Sequence, residues 1–135
     1  MSKSIQSVEG IGPKFGEILK EAGVSTTDKL LEVACSKKGR KELSEKTSLS
    51  ESNILKWVNM CDLFRIKGVA GQFAELLEGS GVDTVKELRN RNAENLAEKM
   101  AEVNEQKHLC KVSPSVSVVT DWIDQAKSLE PMVTH

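Results

Sequence analysis

Residues 8–30, VEGIGPKFGEILKEAGVSTTDKL, return as residues 66–88, IKGVAGQFAELLEGSGVDTVKEL. A chain that repeats itself at a fixed offset builds one structural unit twice, which excludes most folds before any local reading. At an offset of 58, Gly10/Gly68, Phe15/Phe73, Glu17/Glu75, Leu19/Leu77, Gly23/Gly81, Thr26/Thr84 and Leu30/Leu88 are identical. A second stretch follows at a larger offset, where SLSESNILKWVNMCDL (48–63) parallels PSVSVVTDWIDQAKSL (114–129), with Ser50 over Ser115 and Trp57 over Trp122. The second copy thus carries about seven additional residues, placed around Glu105 to Val112.

The periodicity of both copies is helical. Phe15, Ile18, Leu19 and Ala22 fall at i, i+3, i+4 and i+7, as do Ile54, Trp57, Val58 and Cys61, and each set describes an inward stripe. The nearest approach to a strand, VSPSVSVV at 112–119, is interrupted by Pro114, so Pro114 and Ser115 are expected to open a helix instead. Ser50 and Ser115 are expected N-caps, because a short hydroxyl accepts from the unpaired amides of a first turn. Gly23 and Gly81 mark helix stops ahead of Val-Ser-Thr and Val-Asp-Thr. The predicted architecture is all-α, a compact bundle of short helices in two units, residues 1–65 and 66–129, with residues 130–135 expected to fray.

A length of 135 residues suits one domain or two small units sharing a core, and excludes a large multidomain enzyme. Nineteen Lys and Arg stand against 20 Asp and Glu, so the chain is not strongly basic and any nucleic-acid site must be a local patch. Residues 1–65 hold 11 basic and 9 acidic side chains, whereas 66–135 hold 8 and 11, which places such a patch in the first half. No apolar run approaches the ~20 residues that cross a bilayer, and MSKSIQSVEG has no signal-peptide core, so a cytoplasmic protein without a membrane partner is expected. The odd number of cysteines, Cys35, Cys61 and Cys110, reads as buried small hydrophobes.

The segment Gly10-Ile11-Gly12-Pro13 carries the clearest chemistry. Two glycines one apart permit a tight turn and close approach of a backbone or ligand; at Gly12 a β-branched side chain would block that approach or meet positive φ. Pro13 suits the first turn of a helix. The amides of Ile11, Gly12 and Lys14 would then face solvent at a helix N-terminus, which favours an anion such as phosphate, and Lys14 adds a full charge.

VEGIGPKFGEIL resembles the helix-hairpin-helix motif, with Gly10, Ile11, Gly12, Gly16 and Leu19 in its places and Gly16 as the small residue that lets helices pack. In many members of that class the hairpin amides and a neighbouring lysine hold one DNA backbone phosphate without reading sequence. Over residues 5–129 the chain is also similar to a narrower bacterial and archaeal family, domain of unknown function 4332, through segments such as IGPKFGEILKEAGVST and GVDTVKELRNRNAENLAEKM. That similarity implies a tandem helix-hairpin-helix fold and brings no activity with it. The second hairpin, with Gly68, departs from the pattern: Ala70 replaces Gly12, Gly71 replaces Pro13 and Gln72 replaces Lys14, so a phosphate grip is not expected there.

Lys37, Lys38, Arg40 and Lys41 give four cations in five residues around Gly39 at the start of a helix, either a polyanion-binding patch or a solvated helix start. Cations there oppose the helix dipole and call for an explanation. Trp57 and Trp122 read as core. His108 and Cys110 lack the companions that a metal centre or a Cys-His catalytic pair needs. Carboxylates such as Glu94, Glu98, Glu102 and Glu105 form a solvated stripe. The sequence therefore predicts a module with no catalytic residues, cofactor, metal or small-molecule substrate. It is expected to bind nucleic-acid backbone weakly through Ile11, Gly12, Lys14, Lys37, Lys38, Arg40 and Lys41. The alternative is a protein-interaction or structural module whose partner is an unidentified protein and whose hairpins serve only helix packing.

Overall fold

The structure is a computed structural model and describes residues 3–8, 10–69 and 71–134; Glu9 and Ala70, the latter expected in the second hairpin turn, lie outside the described residues. The described chain is all-helical: a 3₁₀ turn at Ile5–Ser7, then α1 (Pro13–Glu21), α2 (Thr27–Ala34), α3 (Lys37–Thr47), α4 (Glu51–Leu63), α5 (Gly71–Gly79), α6 (Val85–Leu88), α7 (Ala93–Lys107) and α8 (Val116–Ser128). The repeat of the sequence is a repeat of elements, since α1 to α4 correspond in order to α5 to α8. Backbone packing separates residues up to Asp62, together with the chain from Met132, from residues Leu63–Pro131.

Local chemistry explains most element boundaries. Thr26, Ser36, Ser50, Thr84, Asn92 and Ser115 each accept, through a side-chain oxygen, from the amide three residues on, at 3.0–3.3 Å. Ser50 and Ser115 therefore cap as predicted. Gly23 and Gly81 adopt φ of +88° and +92° and stop α1 and α5. The valine-rich run after Pro114 is the start of α8.

In the first unit, Ile5 donates to Ser25 O and Thr27 to Lys3 O, so the entering chain is bound beside the start of α2. Phe15 of α1 meets Trp57 of α4, with ring centroids 5.4 Å apart and planes tilted by 48°. In the second unit Phe73 of α5 and Trp122 of α8 repeat that contact at 5.3 Å and 56°. Both indoles are buried, and each pair contributes about 0.5–1.5 kcal/mol beyond the area it buries.

The glycine turns rest on these rings. Ile11 donates to Val8 O and Val69 to Ile66 O, closing two equivalent turns. Gly10 and Gly68 take φ of +93° and +97°, and a Cβ on either would lie 3.3 and 3.2 Å from the indole nitrogen of Trp57 and Trp122. Gly12, which the sequence marks as the constrained position, has φ −85° and ψ −172°, ordinary extended backbone, and open space around it. The strain belongs to Gly10. The segment before it, where the helix-hairpin-helix resemblance implies a helix, is only the three-residue 3₁₀ turn.

The C-terminal segment differs from expectation. Val133 is buried and Thr134 donates to Cys35 O at 2.8 Å, so residues 132–134 dock on the first unit where fraying was expected. The additional residues of the second copy divide between α7, 15 residues against 11 in α3, and a longer link to α8.

Gly10→Ala should lower stability by about 1–3 kcal/mol, the cost of holding a side chain at such φ. Gly12→Ala should cost less than about 1 kcal/mol, the loss of a weak N-cap residue. Urea melts of the two variants would check this, and equal losses would sink the assignment of the strained turn to Gly10.

Candidate nucleic-acid interface

The predicted site divides once it is placed on the fold. The N-cap of α1 is Gly12, which offers no side-chain cap, with Pro13 in the first turn and Lys14 exposed behind it. The amides of Lys14 and Phe15 belong to the first turn and have no partner within the helix. The end of α1 is therefore open to an anion, unlike the six helix starts capped by their own side chains. Ile11 does not share in this. Its amide closes the turn on Val8 at 3.0 Å and its side chain is buried, so it is a packing residue and not an anion donor.

Arg40 is a second correction. It is 4% exposed, and its guanidinium donates to Ala34 O and Cys35 O at 3.1 Å through Nη1 and to Thr134 O at 2.6 Å through Nη2. Ala34 and Cys35 carry the unpaired carbonyls at the C-terminal end of α2, where a cation is favoured by the dipole. That accounts for an arginine near the start of α3. It neutralises the preceding helix, ties down the C-terminal segment and has no surface left for phosphate. Gly39 is likewise structural, since a Cβ there would overlap Val33 O, so the close approach it permits is that of α2 and not of a ligand.

Lys37, Lys38 and Lys41 remain exposed. The hydrogen bond that joins α3 to the end of α1 is made by Lys46 Nζ to Ala22 O, at 3.2 Å. Lys37 lies nine residues, or about 14 Å of helix, from that point, and Lys14 lies about 12 Å along α1 from it. No described hydrogen bond brings the three lysines to the first turn. They stand exposed in the first two turns of α3.

Two site features escaped the sequence reading. Asp121 lines a cleft beside Gly68 and Trp122; the corresponding position, one residue before Trp57, is Lys56, which is exposed. The alignment of 48–63 with 114–129 already contains this reversal of charge, in NILKWV against VVTDWI. The second is Gln125, which accepts from Lys67 N at 2.8 Å and donates to Lys67 O at 3.1 Å, binding the backbone of the second turn from α8. Its counterpart in α4 is the buried, apolar Met60.

Of the cysteines, Cys61 is buried, and burial together with the charges of Asp28 and Asp62 pushes its thiol up to about 12. Cys35 and Cys110, expected to be buried, are half-exposed. Burial and the charge of Glu75 raise the Cys110 thiol, which opposes a thiolate at neutral pH. Among the described residues no three His, Cys, Asp or Glu side chains are placed to hold a metal ion, and no helix is long and apolar enough to cross a membrane.

Arg40→Gln should lower stability by about 2–3 kcal/mol, because it unmakes charge-assisted bonds to buried carbonyls. Lys38→Gln should stay within about 0.5 kcal/mol of the parent. Chemical denaturation of the two variants measures the difference, and an unchanged midpoint for Arg40→Gln would contradict the structural role.

Comparison with curated proteins and comparison with solved structures each gave no match. A family model does match, over residues 9–129, from the first glycine turn to the end of α8. The chain belongs to the family described as domain of unknown function (DUF4332).

Proposed function

We propose that this protein is a non-catalytic, cytoplasmic helix-hairpin-helix module that binds nucleic-acid backbone weakly and without sequence specificity through its first glycine turn. The observation that carries the reading is the start of α1, which has no capping side chain, a proline where an amide would be wasted, and an exposed lysine one residue on. Such a helix end attracts a phosphate oxygen by its amides and by its dipole. Lys56 adds a second cation on the α4 side of the same turn, by its correspondence to Asp121. The second turn has Gln72 and Asp121 in those roles and is a poor anion site. Lys37, Lys38 and Lys41, exposed on α3, extend the attraction along the surface, while Ile11 and Arg40 drop out of the contact set.

Few contacts mean weak binding with a shallow salt dependence. A duplex should bind in the non-specific range of about 10⁻⁴–10⁻⁶ M, with a log-log salt slope near −2 to −4 for about two to four phosphate contacts. Lys14→Glu should weaken binding equally for unrelated sequences and flatten the slope by about one. Gly12→Asp is the sharper probe. A carboxylate at that extended N-cap should accept from the amides of the first turn, stabilising α1 by a few tenths of a kcal/mol while taking the place of the phosphate. A more stable protein that binds DNA worse is the expected result, read by melting and by fluorescence anisotropy. Duplex affinity that survives both substitutions would rule out the first turn as the site.

A further inference from the structure

Residues 132–134 close over the cation of the 37–41 run that does not reach solvent. From Met132 onward the chain packs with the first unit, where Val133 is buried and Thr134 donates its amide to Cys35 O at 2.8 Å. Thr134 Oγ1 adds a longer bond of 3.5 Å to the same carbonyl. In the other direction Thr134 O accepts from Arg40 Nη2 at 2.6 Å. Glu130, Pro131, Met132 and Thr134 themselves are exposed. One buried valine and a few hydrogen bonds thus stand against the entropy of ordering three residues. Such a segment belongs to the low-stability end of a structure, which opens while the rest stays folded.

Opening would leave Arg40 in place. Its Nη1 bonds to Ala34 O and Cys35 O are made to α2 and do not depend on the segment. They fix the guanidinium plane, so lifting residues 132–134 leaves Nη2 aimed at the spot where Thr134 O stood. That spot borders solvent, because Thr134 is exposed. An anionic oxygen suits it better than a carbonyl, since a hydrogen bond between two charged groups is roughly twice as strong as a neutral one. The surrounding charges agree. Lys37, Lys38 and Lys41 flank Arg40 in the first two turns of α3. Of the carboxylates on the two helices, Glu32 pairs with Lys29 at 3.8 Å and Glu42 lines a cleft with Lys29 and Lys46. The end of α2 carries about half a negative charge, against a full positive one on the guanidinium.

We infer that residues 132–134 are an autoinhibitory strap, whose Thr134 carbonyl holds the position that a nucleic-acid phosphate oxygen takes on Arg40. Strap and backbone phosphate compete for one directed donor. With the strap docked, the three lysines of α3 attract the polyanion without a fixed contact; with it lifted, Arg40 supplies one. The inference rests on the nucleic-acid reading, yet it concerns a residue outside the first glycine turn, so the two are tested by different substitutions.

Val133→Ser and Thr134→Pro loosen the strap without changing charge, the first by removing the buried apolar side chain and the second by removing the amide donor. Each full-length variant, held below its melting transition, should bind a mixed-sequence DNA duplex about fivefold more tightly than the parent at low salt, with a log-log salt slope steeper by about one. Adding Arg40→Gln to Val133→Ser should abolish that gain, whereas adding Lys14→Glu should leave the gain in place. In the parent, saturating duplex should move the Thr134 amide resonance towards its position in Val133→Ser, because competition acts in both directions. Unchanged affinity in both loosened variants, a gain that survives Arg40→Gln, or a Thr134 resonance that duplex leaves in place would overturn the inference. Parental binding that ignores Lys14→Glu, together with a gain that needs Arg40, would remove the first turn as a site and keep the strap. No duplex binding by parent or loosened variants would overturn both readings.

Discussion

In each unit the edge of a buried indole lies against a backbone position where a Cβ would stand only 3.2–3.3 Å from the ring nitrogen. Trp57 beneath Gly10 and Trp122 beneath Gly68 set how closely the glycine turn can approach the fourth helix of its unit. The phenylalanine that opens the first helix then completes the contact, so turn, first helix and fourth helix are positioned by one ring pair. A left-handed backbone at the turn is the consequence, and glycine is the residue that adopts it without penalty. The direction in which α1 presents its open amide end depends on this packing.

Around that common frame the copies have diverged in opposite senses. The first unit leaves its turn unadorned, with Lys14 in the first turn of α1, Lys56 at the position of Asp121 in α4, and an apolar Met60 where a backbone anchor could have been. The second binds its turn to α8 through Gln125, sets Asp121 beside it, and extends a loop held by Asn104. The ring pair and the glycine are retained in both copies, while the side chains at the rim change, from Lys14 at the start of α1 to Gln72, Asp121 and the exposed Val112 in the second unit.

The cationic run at 37–41 shows how a composition signal resolves into different roles. Four charges in five residues look uniform in the sequence, yet Arg40 lies on the inward side of α3 and Lys37, Lys38 and Lys41 on the outward side. The arginine is drawn inward by carbonyls at the end of α2 and by Thr134, 94 residues away. The planar guanidinium can serve three acceptors at once, which a lysine cannot do with the same geometry.

By itself the sequence determined the repeat, the helical class, the N-caps at Ser50 and Ser115, the stops at Gly23 and Gly81 and the burial of both tryptophans. Those features depend on contacts within about four residues or on a period of 3.6, and both are written along the chain. Tertiary structure alone decided that Gly10 and not Gly12 bears the strain, that the Ile11 amide is consumed by its own turn, that Arg40 is a buried clamp and that residues 132–134 dock. Each of these is a question of which acceptor a donor finds or which ring a backbone meets. For Gly10, Arg40 and residues 132–134 the answers lie in partners far away along the chain, Trp57, Thr134 and Cys35, while the Ile11 amide finds Val8 three residues back in a turn that no helical period marks.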